Sequence, residues 1–225
     1  AAGRVLHVQL VDISRAGLAQ SELTLAAHRA VTLHAHEADY ETGVREALRG
    51  RRTEGRALVL FLGSNIGNLS PDEADRFLQE LRRACRPGDR LLLGADLVKP
   101  EAELLLAYDD PLGLTAAFNK NVLARLNREL DADFDLLEFD HCVEWNAAAS
   151  RIEVYLVSRA DQLVCIRGAG CCSSIDEGER IWTESSYKYE PAGIAEMGAR
   201  AGFTVCQQWI EPDSRFALTL FESES

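Results

Sequence analysis

Three polar positions stand where short apolar runs give out: Asp12, Asp39 and the segment Gly63-Ser-Asn-Ile-Gly-Asn68. If those runs are parallel strands, all three lie outside carboxyl ends, where open α/β sheets bind ligands. A carboxylate there is a fixed ionised acceptor able to take both hydroxyls of a nucleoside ribose, and Asp12 is the candidate for that task. Aspartate is also a common helix cap, so position alone leaves both readings open. Gly63 and Gly67 permit close backbone approach to a ligand, and Asn68 carries both a donor and an acceptor; an ordinary strand-to-helix turn would look the same. The chain has no G-x-G-x-x-G and no G-x-x-x-x-G-K-[ST], which disfavours phosphoryl transfer and a nicotinamide dehydrogenase. A nucleoside ligand without a pyrophosphate fits better.

Metal and thiol chemistry find little support. Six cysteines (Cys85, Cys142, Cys165, Cys171, Cys172, Cys206) show no C-x-x-C spacing, and five histidines show no H-x-x-x-H, so no zinc site and no catalytic cysteine are expected. Cys85, Cys165 and Cys206 lie in apolar or helical runs, where a thiol acts as a small hydrophobe. All six are read as reduced structural thiols of a cytoplasmic protein, with Cys171-Cys172 in a Gly/Ser-rich loop.

These residues need elements to hold them. Val5 to Val11 reads as a strand, and Ser14 caps a helix from Arg15 to Ala30. A second strand, Val31 to His36, runs into Asp39-Tyr40 and a helix reaching about Arg51 with Val44, Ala47 and Leu48 on one face. Ala57 to Gly63 is continuously apolar, which suits a strand buried on both faces. Ser70-Pro71-Asp72-Glu73 opens the next helix with a capping box and a proline at its first position. That helix ends near Arg86-Pro87-Gly88-Asp89, and Leu91 to Gly94 is another buried strand. Strand–helix alternation with short turns predicts a parallel, doubly wound sheet. From about Val98 the pattern changes: helices over Glu101–Ala107 and Leu114–Leu130, an acidic loop, then alternating strands near Arg151–Ser158 and Gln162–Arg167, suited to an antiparallel sheet with one wet face. Pro191 to Ala201 returns to helix, and two strands, from Gly202 and from Arg215 to Glu222, close the chain.

At 225 residues, 47% hydrophobic and 27% charged, the chain can bury a core of its own. Lys+Arg 24 against Asp+Glu 36 leaves a net charge of −12, which would repel nucleic acid and anionic membranes at long range. No 18-residue apolar run suggests a transmembrane helix, and Ala1-Ala-Gly-Arg4 carries no signal-peptide pattern.

Five ordered motifs carry a resemblance: Phe61-Leu-Gly-Ser-Asn-Ile-Gly-Asn-Leu69, Gly94-Ala-Asp-Leu-Val-Lys99, Ala107-Tyr-Asp-Asp110, Thr115-Ala-Ala-Phe-Asn-Lys-Asn-Val-Leu123 and Thr183-Glu-Ser-Ser-Tyr-Lys-Tyr189. Together, from about Val5 to Phe221, the chain resembles the histidine-specific Nα-methyltransferases of ergothioneine biosynthesis. That implies a Rossmann-like α/β methyltransferase sheet, mostly parallel with an antiparallel closing strand. The core would be residues 1–97 and 189–225, with 98–188 an inserted α+β substrate-binding domain. It implies an S-adenosyl-L-methionine co-substrate held by Asp12 on the ribose, Asp39 and Tyr40 on the adenine, and backbone at Gly63. It implies that Asn68 and Tyr108 hold the α-carboxylate of the substrate, and that Glu184 and Ser186 hold an imidazole. As neutral donors, Asn68 and Tyr108 would leave the α-amine's charge unopposed by a fixed cation.

The implied reaction is N-methylation of the α-amine of L-histidine to Nα-trimethylhistidine (hercynine). It would proceed by direct in-line displacement, without a metal, a covalent intermediate or an acid–base residue beyond positioning. A monomer with a small amino-acid substrate and no nucleic-acid or membrane partner is expected. Val154 stands where the family often has methionine beside the side-chain pocket, which enlarges it and keeps tryptophan or another amino acid open as the substrate. The family's first strand, with its glycine-rich turn, and an upstream tyrosine-bearing segment find no counterpart before Val5. A methyltransferase-like binding protein without turnover is therefore the other alternative.

Overall fold

A computed structural model describes residues 6–28, 30–51 and 55–224. Strands β1 (Leu6–Asp12) and β2 (Val31–Glu37) pair in parallel, Leu6 against Val31 through Asp12 against Glu37. They flank α1 (Arg15–Ala26), capped by the Ser14 hydroxyl, which accepts from the Gly17 N–H. α1 is shorter than its Ala/Leu-rich sequence predicts, and it buries only Leu18. α2 (Tyr40–Gly50) is capped by Asp39 and buries Gly43, Ala47 and Leu48, so the apolar face read from its spacing is the face that packs.

The main sheet runs β10-β11-β4-β3. β3 (Leu58–Phe61) is parallel to β4 (Arg90–Asp96). β11 (Phe216–Ser223) is antiparallel to β4, and β10 (Phe203–Glu211) antiparallel to β11. β4 lies between β3 and β11, with Leu91, Leu93 and Ala95 of one face fully buried and Leu92 on the other face partly so. β3 departs from the expectation of a strand buried on both faces. It is an edge strand among the described residues, paired only with β4, and Leu58 and Leu60 are 56% and 57% exposed. Its apolar run therefore covers one face only.

Against this sheet pack α3 (Pro71–Ala84) and α6 (Pro191–Arg200). α3 opens on the capping box: the Ser70 N–H donates to Glu73 Oε2 at 2.8 Å, and the Glu73 N–H to Ser70 Oγ at 3.4 Å. It buries Ala74, Phe77, Leu78 and Leu81, the i, i+3, i+4, i+7 stripe of a half-buried helix. Gly198 on α6 is required by contact: a Cβ there would lie 2.1 Å from the Phe221 ring.

Residues 101–187 make a second set of elements. α4 (Glu101–Tyr108) and α5 (Leu114–Leu130) precede an antiparallel sheet of β5 (Phe139–Asn146), β6 (Arg151–Ser158) and β9 (Arg180–Tyr187), and a hairpin of β7 (Gln162–Ile166) with β8 (Cys171–Ile175). Their buried residues form two clusters, around Phe139 and Leu156 and around Ile152 and Val154, separate from the cluster of the main sheet.

Two sequence readings are corrected here. β5 and β8 were expected as loop; β5 is polar at Asp140, His141 and Glu144, and β8 has four exposed residues of five. Pairing with β6 and β7 makes them strands, and local composition does not signal it. The thiols are likewise not all free: Cys165 and Cys172, opposite each other in the β7–β8 register, form a disulfide. Cys206 is exposed rather than packed. Cys85 is half-buried against the main core, and that burial pushes its thiol pKa up to about 11.

Candidate active site

The site lies where the carboxyl ends of β3 and β4 meet β9. Leaving β3, the chain takes left-handed conformations at Gly63 (φ 71°) and Ser64 (φ 60°) and then a single 3-10 turn, Asn65–Asn68. That turn is tied down on three sides. The Asp96 N–H donates to Ser64 Oγ at 2.9 Å, Tyr189 Oη donates to the Ile66 carbonyl at 3.1 Å, and Gly67 abuts β9. A Cβ at Gly67 would lie 2.7 Å from the Tyr187 carbonyl oxygen. The sequence reading assigned Gly67 to close approach of a ligand; the close neighbour is β9. Gly63 has no atom within 4 Å of where a Cβ would stand, so its outer side is open.

This packing brings Asn68 opposite β9 across an open cleft of about 330 Å³, lined by Asn68, Ser70, Glu73, Trp182, Glu184 and Tyr187 among others. Asn68 and Glu184, distant in sequence, face one space. The Trp182 indole N–H donates to the Glu184 carbonyl at 2.8 Å, and the Arg151 guanidinium lies 5.1 Å over its ring. The β-bulge between Val154 and Tyr155 places Glu184 opposite Val154 in the β6–β9 register.

Tyr108 and Ser186 are also together. Tyr108, the last residue of α4, donates its phenol hydrogen to Ser186 Oγ at 2.7 Å. His141 fixes the end of that helix: the Asn119 amide donates to its Nδ1 at 3.0 Å, which leaves Nε2–H to donate to the Tyr108 carbonyl at 2.9 Å. Val154 does not line the cleft; it is 2% exposed and packs with Leu104, Ile152 and Tyr108.

Lys188 was not singled out from the sequence, although it sits inside the Thr183–Tyr189 motif. Its side chain is 1% exposed, and its Nζ reaches Tyr108 Oη at 2.8 Å, Ser186 Oγ at 2.9 Å and Asp96 Oδ2 at 3.1 Å. Asp96 also pairs with Lys99 at 2.7 Å. A fixed cation therefore does stand behind Tyr108, contrary to the expectation of neutral donors alone. The signal available in the sequence was the i, i+2 spacing from Ser186, which puts both side chains on one face of a strand.

The other strand ends hold the remaining candidates. Asp12 ends β1, and its Oδ1 accepts from the Ser14 N–H at 2.8 Å. Asp39 accepts from the Thr42 N–H at 2.7 Å, and hydrogen bonds from Thr42 hold its carboxyl below the usual aspartate range. Both keep further lone pairs. Tyr40 is 41% exposed, with its ring 5.3 Å from that of Phe61 in an edge contact. Among the described residues no group of three or more His, Cys, Asp or Glu is arranged to hold a metal ion, and no helix is long and apolar enough to cross a membrane.

The family described as "Histidine-specific methyltransferase, SAM-dependent" matches residues 4–223. The chain is 44% identical over 190 residues to a histidine N-alpha-methyltransferase of Mycobacterium tuberculosis, covering 84% of this chain and 58% of that protein. It is 46% identical over 166 residues to one of Mycolicibacterium smegmatis, covering 74% and 52%. The chain thus spans about half the length of these relatives. In fold it is similar to the PH0226 protein of Pyrococcus horikoshii OT3 (TM-score 0.50, 13% identity, 97% of this chain and 74% of that one). With a Rossmann-like methyltransferase sheet and a match along nearly its whole length, the chain belongs to the S-adenosylmethionine-dependent histidine-specific methyltransferase family.

Proposed function

We propose that the whole protein methylates the α-amine of L-histidine with S-adenosylmethionine, giving Nα-trimethylhistidine. The observation that carries this reading is the juxtaposition of Asn68 with Glu184 across one cleft; Ser186, two residues along the same strand from Glu184, is buried and hydrogen-bonded to Tyr108. Four groups of the right polarity for an amino acid with an imidazole side chain come from three parts of the sequence. Asn68 and Tyr108 hold the α-carboxylate, Glu184 accepts from one ring N–H and Ser186 donates to the other ring nitrogen.

The co-substrate supplies a methyl group on a sulfonium. The residues at the strand ends suit its nucleoside: acceptor oxygens on Asp12 and Asp39, an exposed aromatic face at Tyr40, and the open backbone at Gly63. The chain's own task is to hold the α-amine in line and exclude water. The amine must be neutral to attack; its ordinary pKa lies about one unit above neutrality, so no strong general base is required.

The division into a co-substrate core (1–97 and 189–225) and a substrate-binding domain (98–188) is supported by the separate core clusters. A monomeric, cytoplasmic protein is part of the same reading; four free thiols (Cys85, Cys142, Cys171, Cys206) fit a reducing compartment, while the Cys165–Cys172 disulfide does not. Tryptophan remains the competing substrate: Val154 is smaller than methionine, pairs with Glu184 in the β6–β9 register and packs with Tyr108, though it does not itself line the cleft. The test is amino-acid-dependent methyl transfer by the whole protein, with histidine and tryptophan compared at equal concentration. Transfer to histidine with little to tryptophan is expected. Binding of histidine without binding of S-adenosylmethionine or S-adenosylhomocysteine would overturn the enzymatic reading.

A further inference from the structure

Lys188 has three N–H donors and no acceptor. In the structure those donors meet three oxygens, on Tyr108, Ser186 and Asp96, at 2.8, 2.9 and 3.1 Å. Its side chain is 1% exposed, so water does not compete for these bonds. A hydroxyl that accepts from such a cation still has its own hydrogen to place. Tyr108 places its hydrogen on Ser186, which leaves Ser186 with two accepted bonds and its hydrogen directed elsewhere. If Tyr108 instead turns to an outside acceptor, Lys188 still satisfies both oxygens, and both hydroxyls donate outward.

We propose that Lys188 is a positioning residue that makes Tyr108 and Ser186 obligatory hydrogen-bond donors toward the substrate, so that the site selects a side chain carrying an unprotonated ring nitrogen. This rests on the proposed assignment of Tyr108 to the substrate carboxylate and of Ser186 to its ring. Without the ammonium, the two hydroxyls would be free to bond each other and to accept from a ligand N–H equally well. Ser186 would then tolerate a ring that offers only an N–H. With the ammonium in place, one of the two acceptor sites of Ser186 is taken and its hydrogen must point away from Nζ, so a ring lacking an acceptor nitrogen strands a buried hydroxyl hydrogen. Asp96 keeps the cation in place from below and is itself shared with Lys99, so losing Lys188 does not orphan the carboxylate. Glu184 on the same strand supplies the complementary acceptor. Donor at 186 and acceptor at 184 together read a neutral imidazole, and reject an indole or a pyrrole.

The experiment measures kcat and KM in the whole protein for histidine and for β-pyrrolylalanine, which keeps the ring N–H but replaces the acceptor nitrogen with C–H. The unsubstituted protein should prefer histidine by about 10- to 100-fold in kcat/KM, the range of one unsatisfied buried polar group. Lys188→Met should raise KM for histidine about tenfold with kcat little changed, and should bring the preference over the pyrrole near parity. In a Ser186→Ala background the same change should leave the preference unaltered. Calorimetry with S-adenosylhomocysteine should give wild-type affinity for each variant, which separates loss of positioning from loss of fold. An unaltered preference in Lys188→Met overturns the role of Lys188 alone. If Lys188→Met does not fold, the unsubstituted protein still decides: equal use of histidine and the pyrrole overturns the proposal. Absence of methyl transfer to any amino acid overturns the underlying assignment as well.

Discussion

In the proposed reading, Glu184 is the residue on which recognition of an imidazole turns. It lines the cleft opposite Asn68, and truncation would leave a ring N–H unpaired at a cost of about 1–3 kcal/mol. Because the bond is made in ground and transition states alike, Glu184→Ala should raise KM for histidine about tenfold or more and leave kcat nearly unchanged. Affinity for S-adenosylhomocysteine should not move, and tryptophan should be used better. Steady-state kinetics with both amino acids check this; unchanged histidine kinetics would remove Glu184 from the site. Glu153 makes a separate, structural claim. Hydrogen bonds from Tyr155, Asn146 and Arg151 hold its carboxyl at about 2. A carboxyl whose folded pKa lies below its unfolded value, about 4.3, stabilises the fold above that value and loses the contribution as pH falls through the folded one. Glu153→Gln should therefore lower Tm at pH 7, with the difference from wild type shrinking between about pH 4.5 and 2.

At the scale of elements, the site depends on how closely the 3-10 turn after β3 approaches β9. Gly67→Ala would put a methyl 2.7 Å from the Tyr187 carbonyl, a backbone atom that cannot step aside. The turn should move and carry Asn68 with it, raising KM for the amino acid several-fold and lowering stability by about 1–3 kcal/mol. Urea unfolding read beside kinetics checks both. Ser70→Ala removes the capping box of α3 and should cost about 1 kcal/mol, visible as a lower urea midpoint at unchanged m-value. The helix boundaries and the capping box were legible in the sequence because they are made within one turn of chain. β5 and β8 were not, because their partners lie on other strands.

Across the whole molecule, the Cys165–Cys172 disulfide joins two strands of a hairpin whose buried residues, Val164 and Ile175, belong to the cluster around Phe139 and Leu156. It closes a short loop of sequence separation 7, which chain entropy values at about 2–3 kcal/mol. None of the residues lining the cleft belongs to this hairpin. Reduction, or Cys165→Ser with Cys172→Ser, should lower Tm by several degrees while kcat and KM stay at wild-type values; a loss of activity at temperatures where the fold survives would show the hairpin coupled to the site. The joint between the main sheet and the second set of elements is made elsewhere. Tyr189 N–H donates to the Asp96 carbonyl, Val98 N–H to the Tyr189 carbonyl, and Lys188 pairs with Asp96.

The sequence by itself determined the alternation of strands and helices, the buried strand around Leu91 and Leu93, the capped start of α3, and the five motifs that name the family. All of these are local or linear properties. The tertiary structure alone decided which polar residues face one another. Asn68 meets Glu184 because Gly67 packs on β9, and Tyr108 meets Ser186 because His141 pins the end of α4. It alone exposed one face of β3, whose apolar run reads as wholly buried until its place at a sheet edge is known. Lys188 reads in sequence as one more charged residue. What makes it the centre of the site's hydrogen bonding is burial among three oxygens from three separate elements, and burial is a property of the packed molecule.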